Sequence, residues 1–126
     1  MVINNIQIYT MTNTAYNYFC SKAKNCRSKS KDFIERKLSS LIHNTTSIKV
    51  LSSKDYQVRY TFCGFYMVVD YKNNNIIDVY WKNTGHQAKQ PNSDLYKRVR
   101  ETNVLLGLNR NGDGWLNGIN PYPLKD

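Results

Sequence analysis

Acid is scarce in this chain, cysteine is rare and unpaired in its spacing, and long apolar runs are missing. Nine Asp and Glu stand against eighteen Lys and Arg across 126 residues, leaving +9 at pH 7 and a pI near 9.5. A shortage of carboxylates on that scale sets up a field that attracts polyanions, so nucleic acid is the leading partner. A merely soluble basic protein, or one that binds an acidic protein, is the plain alternative. No stretch approaches the roughly 18 consecutive apolar residues that a membrane span requires; even Phe65 to Val69 is stopped at once by Asp70. No membrane association is expected. Met1 to Thr10 carries no basic segment, and Asn4, Asn5 and Gln7 interrupt its apolar residues, which argues against a secretory signal and for a cytoplasmic location. Cys20, Cys26 and Cys63 form an odd set without a CxxC pair, so reduced thiols are expected rather than a disulfide framework. His43 could be added to them as a fourth zinc ligand, but the helical positions of the first two speak against it, and no metal or cofactor is expected. Internal repeats and low-complexity tracts are absent as well.

What is present suits one domain over residues 1–126, with a core over 1–107 and a tail over 108–126. Apolar residues make up 40% and charged residues 21%, a balance compatible with an ordinary globular core. Val2 to Thr10, with Ile3, Ile6, Ile8 and Tyr9, reads as a strand. From Asn13 to about Asn44 the spacing becomes helical. Ala15, Tyr18, Phe19, Lys22 and Ala23 mark one stripe; Phe33, Ile34, Lys37, Leu38, Leu41 and Ile42 mark a second. The polar stretch Asn25 to Lys31 separates two helices, and Ser30 or Asp32 is placed to cap the second.

Tyr56, Val58, Tyr60 and Phe62 then alternate with Gln57, Arg59 and Thr61 as a half-buried strand does. Phe65 to Tyr71 and Ile76 to Lys82 follow as strands around an Asn73-Asn74-Asn75 turn, which predicts an antiparallel meander. Ser93 and Asp94 open a last helix with Leu95, Val99, Leu105 and Leu106 near one stripe, Lys97, Arg98, Arg100 and Glu101 outward, and Gly107 at its end. The fold class is therefore α+β, in the order β-α-α-β-β-β-α, with a helical hairpin packed on a twisted antiparallel sheet. The tail is expected to be irregular, docking through Trp115, Leu116, Ile119 and Tyr122.

That order resembles the RelE/ParE toxin superfamily of small bacterial ribonucleases and growth inhibitors. Tyr56-Gln57-Val58-Arg59-Tyr60 is similar to the family's Y-R-V-R-Y-type strand, and Ile76 to His86 is similar to its last strand running into a G-H-R motif. Gln87 stands where the family often has Arg, and the tail is longer than the family pattern. The resemblance implies a metal-independent endoribonuclease toxin, commonly one that cuts messenger RNA on the ribosome, or an inhibitor of gyrase; either brings an antitoxin partner.

RNA cleavage needs a base for the 2′-hydroxyl, an acid for the leaving oxygen, and cations around the phosphoryl group. His86, following Gly85 at a strand end, is the candidate for proton transfer because imidazole populates both protonation states near neutrality. Arg59 and Lys82, each on a polar side of its strand, are candidates to hold phosphate from an open sheet face; Asp78 and Tyr80 share the face of Lys82. Tyr96 and Arg98 on the last helix offer a phenol and a guanidinium. An ordinary strand-end histidine, solvated cations and a packing tyrosine are the alternatives. Lys22, Lys24, Arg27, Lys29, Lys31, Arg36 and Lys37 make a basic ridge along the helical hairpin, and with Arg98 and Arg100 they are candidate contacts to RNA or ribosome backbone. Tyrosines among cations, such as Tyr60 and Tyr80, are placed to stack on bases. The Asn109 to Asn120 stretch copies calcium-loop spacing but lacks the acidic last ligand, so calcium is not expected. A non-catalytic binder of gyrase, the ribosome or a nucleic-acid enzyme, and a plain RNA-binding protein, are the rival readings.

Overall fold

A computed structural model describes residues 1–22, 29–44, 48–50, 55–60, 65–81 and 93–109. Within these, strands β1 (Val2–Ile3), β2 (Ile6–Gln7) and β3 (Thr10–Met11) lead into helices α1 (Asn13–Lys22) and α2 (Lys31–Asn44). Strands β4 (Ile48–Val50), β5 (Tyr56–Tyr60), β6 (Phe65–Asp70) and β7 (Asn75–Trp81) then precede helix α3 (Ser93–Leu105). The mixed α+β class and the antiparallel meander are as the spacing predicts.

The N-terminal segment differs from the single strand expected of it. Asn4 and Asn5 both take positive φ, 50° and 66°, which asparagine tolerates better than other residues with a side chain. They fold Val2–Ile3 back on Ile6–Gln7 as a two-residue hairpin, and the chain joins the main sheet only at Thr10. Asn4 also donates from Nδ2 to the Leu105 carbonyl at 2.7 Å, fastening this hairpin to the end of α3.

The main sheet runs in the order β3-β7-β6-β5-β4, with β3 parallel to β7 and all other pairs antiparallel. The two-helix crossover thus carries the chain from one margin of the sheet to the other. A bulge at Val68/Val69 shifts the register from Val68↔Asp78 to Val69↔Ile76. In the β6–β7 turn the Asp70 carboxylate accepts from Asn73 Nδ2 at 2.8 Å and from the amides of Lys72 and Asn73, and the Asn73 bond above all holds its carboxyl below the usual range.

Helices α1 and α2 begin where a hydroxyl meets the first free amides. Thr12 Oγ1 accepts from the Ala15 amide at 3.1 Å, and Ser30 Oγ accepts from Phe33, so Ser30 is the cap of α2, while Asp32 pairs with Arg36 one turn on. Ile34, Leu38, Leu41 and Ile42 of α2 pack with Ala15 and Phe19 of α1 against Phe65, Met67, Val69, Ile76 and Val79 of the sheet. Phe19 and Phe65 meet edge to face with ring centroids 5.7 Å apart. Polar residues in the buried stripe of α2 have a separate task. Ser39 Oγ accepts from the Tyr9 amide at 2.8 Å and Glu35 Oε2 from the Met11 amide at 2.7 Å, satisfying donors on the outer side of the edge strand.

A second apolar cluster, Ile6, Ile8, Leu106 and Leu108 with part-buried Phe33, ties α3 to the N-terminal hairpin. The last helix ends at Gly107, whose φ of +78° suits a glycine. There the Leu108 amide bonds to the Asn103 carbonyl and the Gly107 amide to Val104. The buried stripe of α3 is Val99, Thr102, Asn103 and Leu106, whereas Leu105, expected inside, is exposed beside Val104. Thr102 is buried in its place because its hydroxyl has partners: Oγ1 donates to the Arg98 carbonyl and accepts from Asn44 of α2.

Cys20 corrects the expectation of reduced thiols: it is half of a disulfide. Its partner is Cys26 or Cys63, both outside the described residues. Among the described residues no helix is long and apolar enough to cross a membrane.

Candidate nucleic-acid interface

Strand pairing sorts the sheet into two faces. Cross-strand partners share a face, so Arg59, Met67 and Val79 stand together on one side, while Tyr66 and Tyr80, with Val68 and Asp78, stand on the other. Met67 and Val79 are fully buried under α1 and α2, which makes the first face the covered one. Arg59 therefore points the opposite way from the expectation. Its side chain lies beneath α2 at 9% exposure, and Nη2 donates to the Ile42 carbonyl at 2.6 Å.

The reason is the helix end. Ile42 is in the last turn of α2, where carbonyls lack intrahelical partners and the peptide dipoles concentrate negative charge; a buried guanidinium answers both. Tyr9 and Tyr71, which meet edge to face with centroids 5.7 Å apart, lie near enough to feel the Arg59 charge. Burial raises both phenols' pKa, and the Arg59 charge opposes that rise.

The second face, helix-free among the described residues, is aromatic. Tyr66 of β6 and Tyr80 of β7 stack at 5.2 Å with their planes 30° apart. Tyr80 and Tyr56 are 39% and 38% exposed, with buried Val58 and half-buried Val68 on the same face. The Tyr80 hydroxyl donates a short hydrogen bond to Asp78 Oδ2. Tyr18 of α1, itself 40% exposed, lies close enough to act electrostatically on the Tyr80 phenol, and Lys22 follows it one helical turn later.

Asp78 chiefly, through that hydrogen bond, pushes the Tyr80 phenol up to about 12. The folded protein holds this proton more tightly than an unfolded chain does. The resulting stabilisation is fully present below pH 10 and is lost as the pH rises through about 12. In an alkaline absorbance titration, Asp78→Asn is expected to return Tyr80 to the ordinary phenol range. An unchanged titration curve would mean that the carboxylate does not hold the proton.

The other sequence candidates do not converge on this face. Tyr96 is half-buried on α3 with the Arg100 guanidinium 5.3 Å over its ring, and α3 packs on α2, within the helical layers. Arg98 is exposed on the same helix. On the hairpin, the expected ridge is only partly a solvent-facing one. Lys37 is buried at 3% exposure with its ammonium 5.0 Å from the Phe33 centroid. Arg36 binds Asp32 at 2.9 Å and donates from Nη1 to the Leu106 carbonyl at 2.7 Å, joining α2 to the end of α3. Lys29 lies 5.1 Å from the Phe33 centroid, and Lys31 donates to Asn13 Oδ1 at 3.1 Å. Lys22 is half-buried.

His86, Lys82, Lys24, Arg27, Tyr60's ring and the Arg110 to Asn120 part of the calcium-like stretch lie outside the described residues or side chains. Among the described residues no three His, Cys, Asp or Glu side chains are grouped to hold a metal ion.

Tyr66 is the member of this face that sequence reasoning did not single out, and Tyr18 of α1 is a neighbour whose influence on Tyr80 it did not foresee. Alternation placed Tyr80 with Asp78, but the partner strand's register decides that Tyr66 stacks on Tyr80, and only the docking of α1 brings Tyr18 near. No family model, curated protein or solved structure matches the chain.

Proposed function

We propose that this protein is an RNA-directed growth inhibitor that holds a single RNA strand on the helix-free face of its sheet. The observation that carries this reading is exposed Tyr80 stacked on half-buried Tyr66, with exposed Tyr56 on the same face, in a chain of charge +9. Aromatic rings accept any base through its π face, and surplus cations supply the sequence-independent attraction to the phosphate backbone. RNA places its action in the cytoplasm. An antitoxin protein and the ribosome are the partners that the RelE/ParE resemblance implies.

Endoribonuclease activity is the second reading, favoured by the order of elements: an edge strand, a two-helix crossover, a four-stranded antiparallel meander and a last helix. In this reading Arg59 no longer belongs with the phosphate-holding groups, because it serves the end of α2. His86 keeps proton transfer and Lys82 keeps phosphate. In the sequence Lys82 follows Tyr80 by two residues and His86 by six.

One set of measurements separates the readings. A labelled single-stranded RNA is titrated with the protein, and RNA from expressing cells is mapped by primer extension. Removing one stacking ring costs about 1–3 kcal/mol, so Tyr80→Ala is expected to weaken RNA binding on the order of tenfold to a hundredfold. New cuts that vanish in His86→Ala establish the ribonuclease. Binding without cuts leaves an RNA binder. Arrested growth with no RNA binding sinks the RNA reading in favour of an inhibitor of gyrase or another nucleic-acid enzyme.

A further inference from the structure

A carboxylate is an odd group to find beside a phosphate-binding platform, because it repels the backbone it would meet. Asp78 stands on the aromatic face, two residues before Tyr80 on β7, and Oδ2 accepts the Tyr80 hydroxyl. A carboxylate has about four lone-pair positions on its two oxygens, so one phenol leaves acceptor capacity on both. Asp78 also has neither an Arg nor a Lys as a partner among the described ion pairs. The neighbour that suits it is a group that brings N–H donors and carries no negative charge.

A base lying against the Tyr66–Tyr80 pair meets that description at its Watson–Crick edge. Uracil offers one N–H there between two carbonyls. Adenine and cytosine each offer an amine next to an acceptor nitrogen. Guanine alone sets two donors side by side, N1–H and the N2 amine, at a spacing that fits two carboxylate oxygens. We infer that Asp78 makes this face selective for guanine, reading the base by paired hydrogen bonds while the tyrosines hold it by stacking. The Tyr80 hydroxyl fixes the carboxylate in orientation and stays a donor throughout. This inference rests on the RNA reading given above and adds a base preference to it.

The test uses single-stranded RNA octamers: oligouridine, the same with one central guanosine, and the same with inosine, which keeps N1–H and lacks the N2 amine. The wild-type protein is expected to bind the guanosine octamer at least about fivefold more tightly than oligouridine, with inosine between them. Asp78→Asn presents one donor and one acceptor and is expected to erase the preference while oligouridine binding persists. Tyr80→Phe keeps the ring and the carboxylate but frees the carboxylate's orientation, and is expected to keep the preference in reduced form. Circular dichroism confirms that each variant is folded. Equal binding of all three octamers by the wild type, or a preference that survives Asp78→Asn, overturns the guanine assignment and leaves RNA binding standing. No binding of any octamer overturns both.

Discussion

Arg59→Ala is expected to lose about 3 kcal/mol of stability and to leave RNA binding unchanged at temperatures where the variant is folded. Two losses combine in that figure. The hydrogen bond from a buried guanidinium to the Ile42 carbonyl contributes about 1.5–3 kcal/mol, and truncating so large a buried side chain beneath α2 leaves a cavity. For a chain of this length the midpoint of thermal unfolding should fall by roughly 10–15 °C. Arg59→Met keeps most of the volume and should recover part of the loss, isolating the helix-end contact. A variant of undiminished stability that no longer binds or cuts RNA would reverse the assignment and return Arg59 to the phosphate site.

The second large effect concerns Cys20. Its disulfide begins inside the core, where Cys20 is 8% exposed among the residues that α1 packs against the sheet. Reduction, or Cys20→Ser, is expected to cost about 2–4 kcal/mol in urea unfolding. Thiol labelling of the denatured protein checks the premise: oxidised protein should show one thiol and reduced protein three, since the chain has three cysteines in all. The result also bears on compartment, because thiols in a reducing cytosol stay open and disulfides persist where oxidation is maintained. Three thiols in protein taken directly from the cytoplasm would show that the chain works there without the bond, at the lower stability.

Much of the architecture was legible in the residues because it depends on local period. The helical stripes of Phe19 and of Ile34, Leu38 and Leu41 were readable from spacing, as were the strands around Val58, Met67 and Val79 and the glycine that ends α3. The misreadings of Arg59, Arg36, Lys37 and Leu105 share a cause: a polar group doing a core task. Alternation correctly put Arg59 opposite Tyr56 and Val58 in the pleat, but which side met the helices depended on a carbonyl at the end of α2, seventeen residues away in sequence. Lys37 and Arg36 looked like solvent-facing cations, yet one lies on Phe33 in the interior and the other closes the gap to Leu106. Leu105 looked apolar enough to be buried, and Thr102 took its place because Asn44 was there to bond to it. The aromatic face was half legible. Tyr80 and Asp78 followed from parity, whereas their stacking neighbour Tyr66 follows only from a register that a single chain segment does not encode.

The side chains of Ser39 and Glu35, reaching from α2 to the amides of Tyr9 and Met11, have an outcome beyond holding a helix in place. A sheet margin with vacant amides invites a foreign strand to zip onto it, and runaway association of that kind is a hazard for any small β-containing protein. Here the inviting groups are already claimed from within, so that margin resists fibril-like stacking of one molecule on the next.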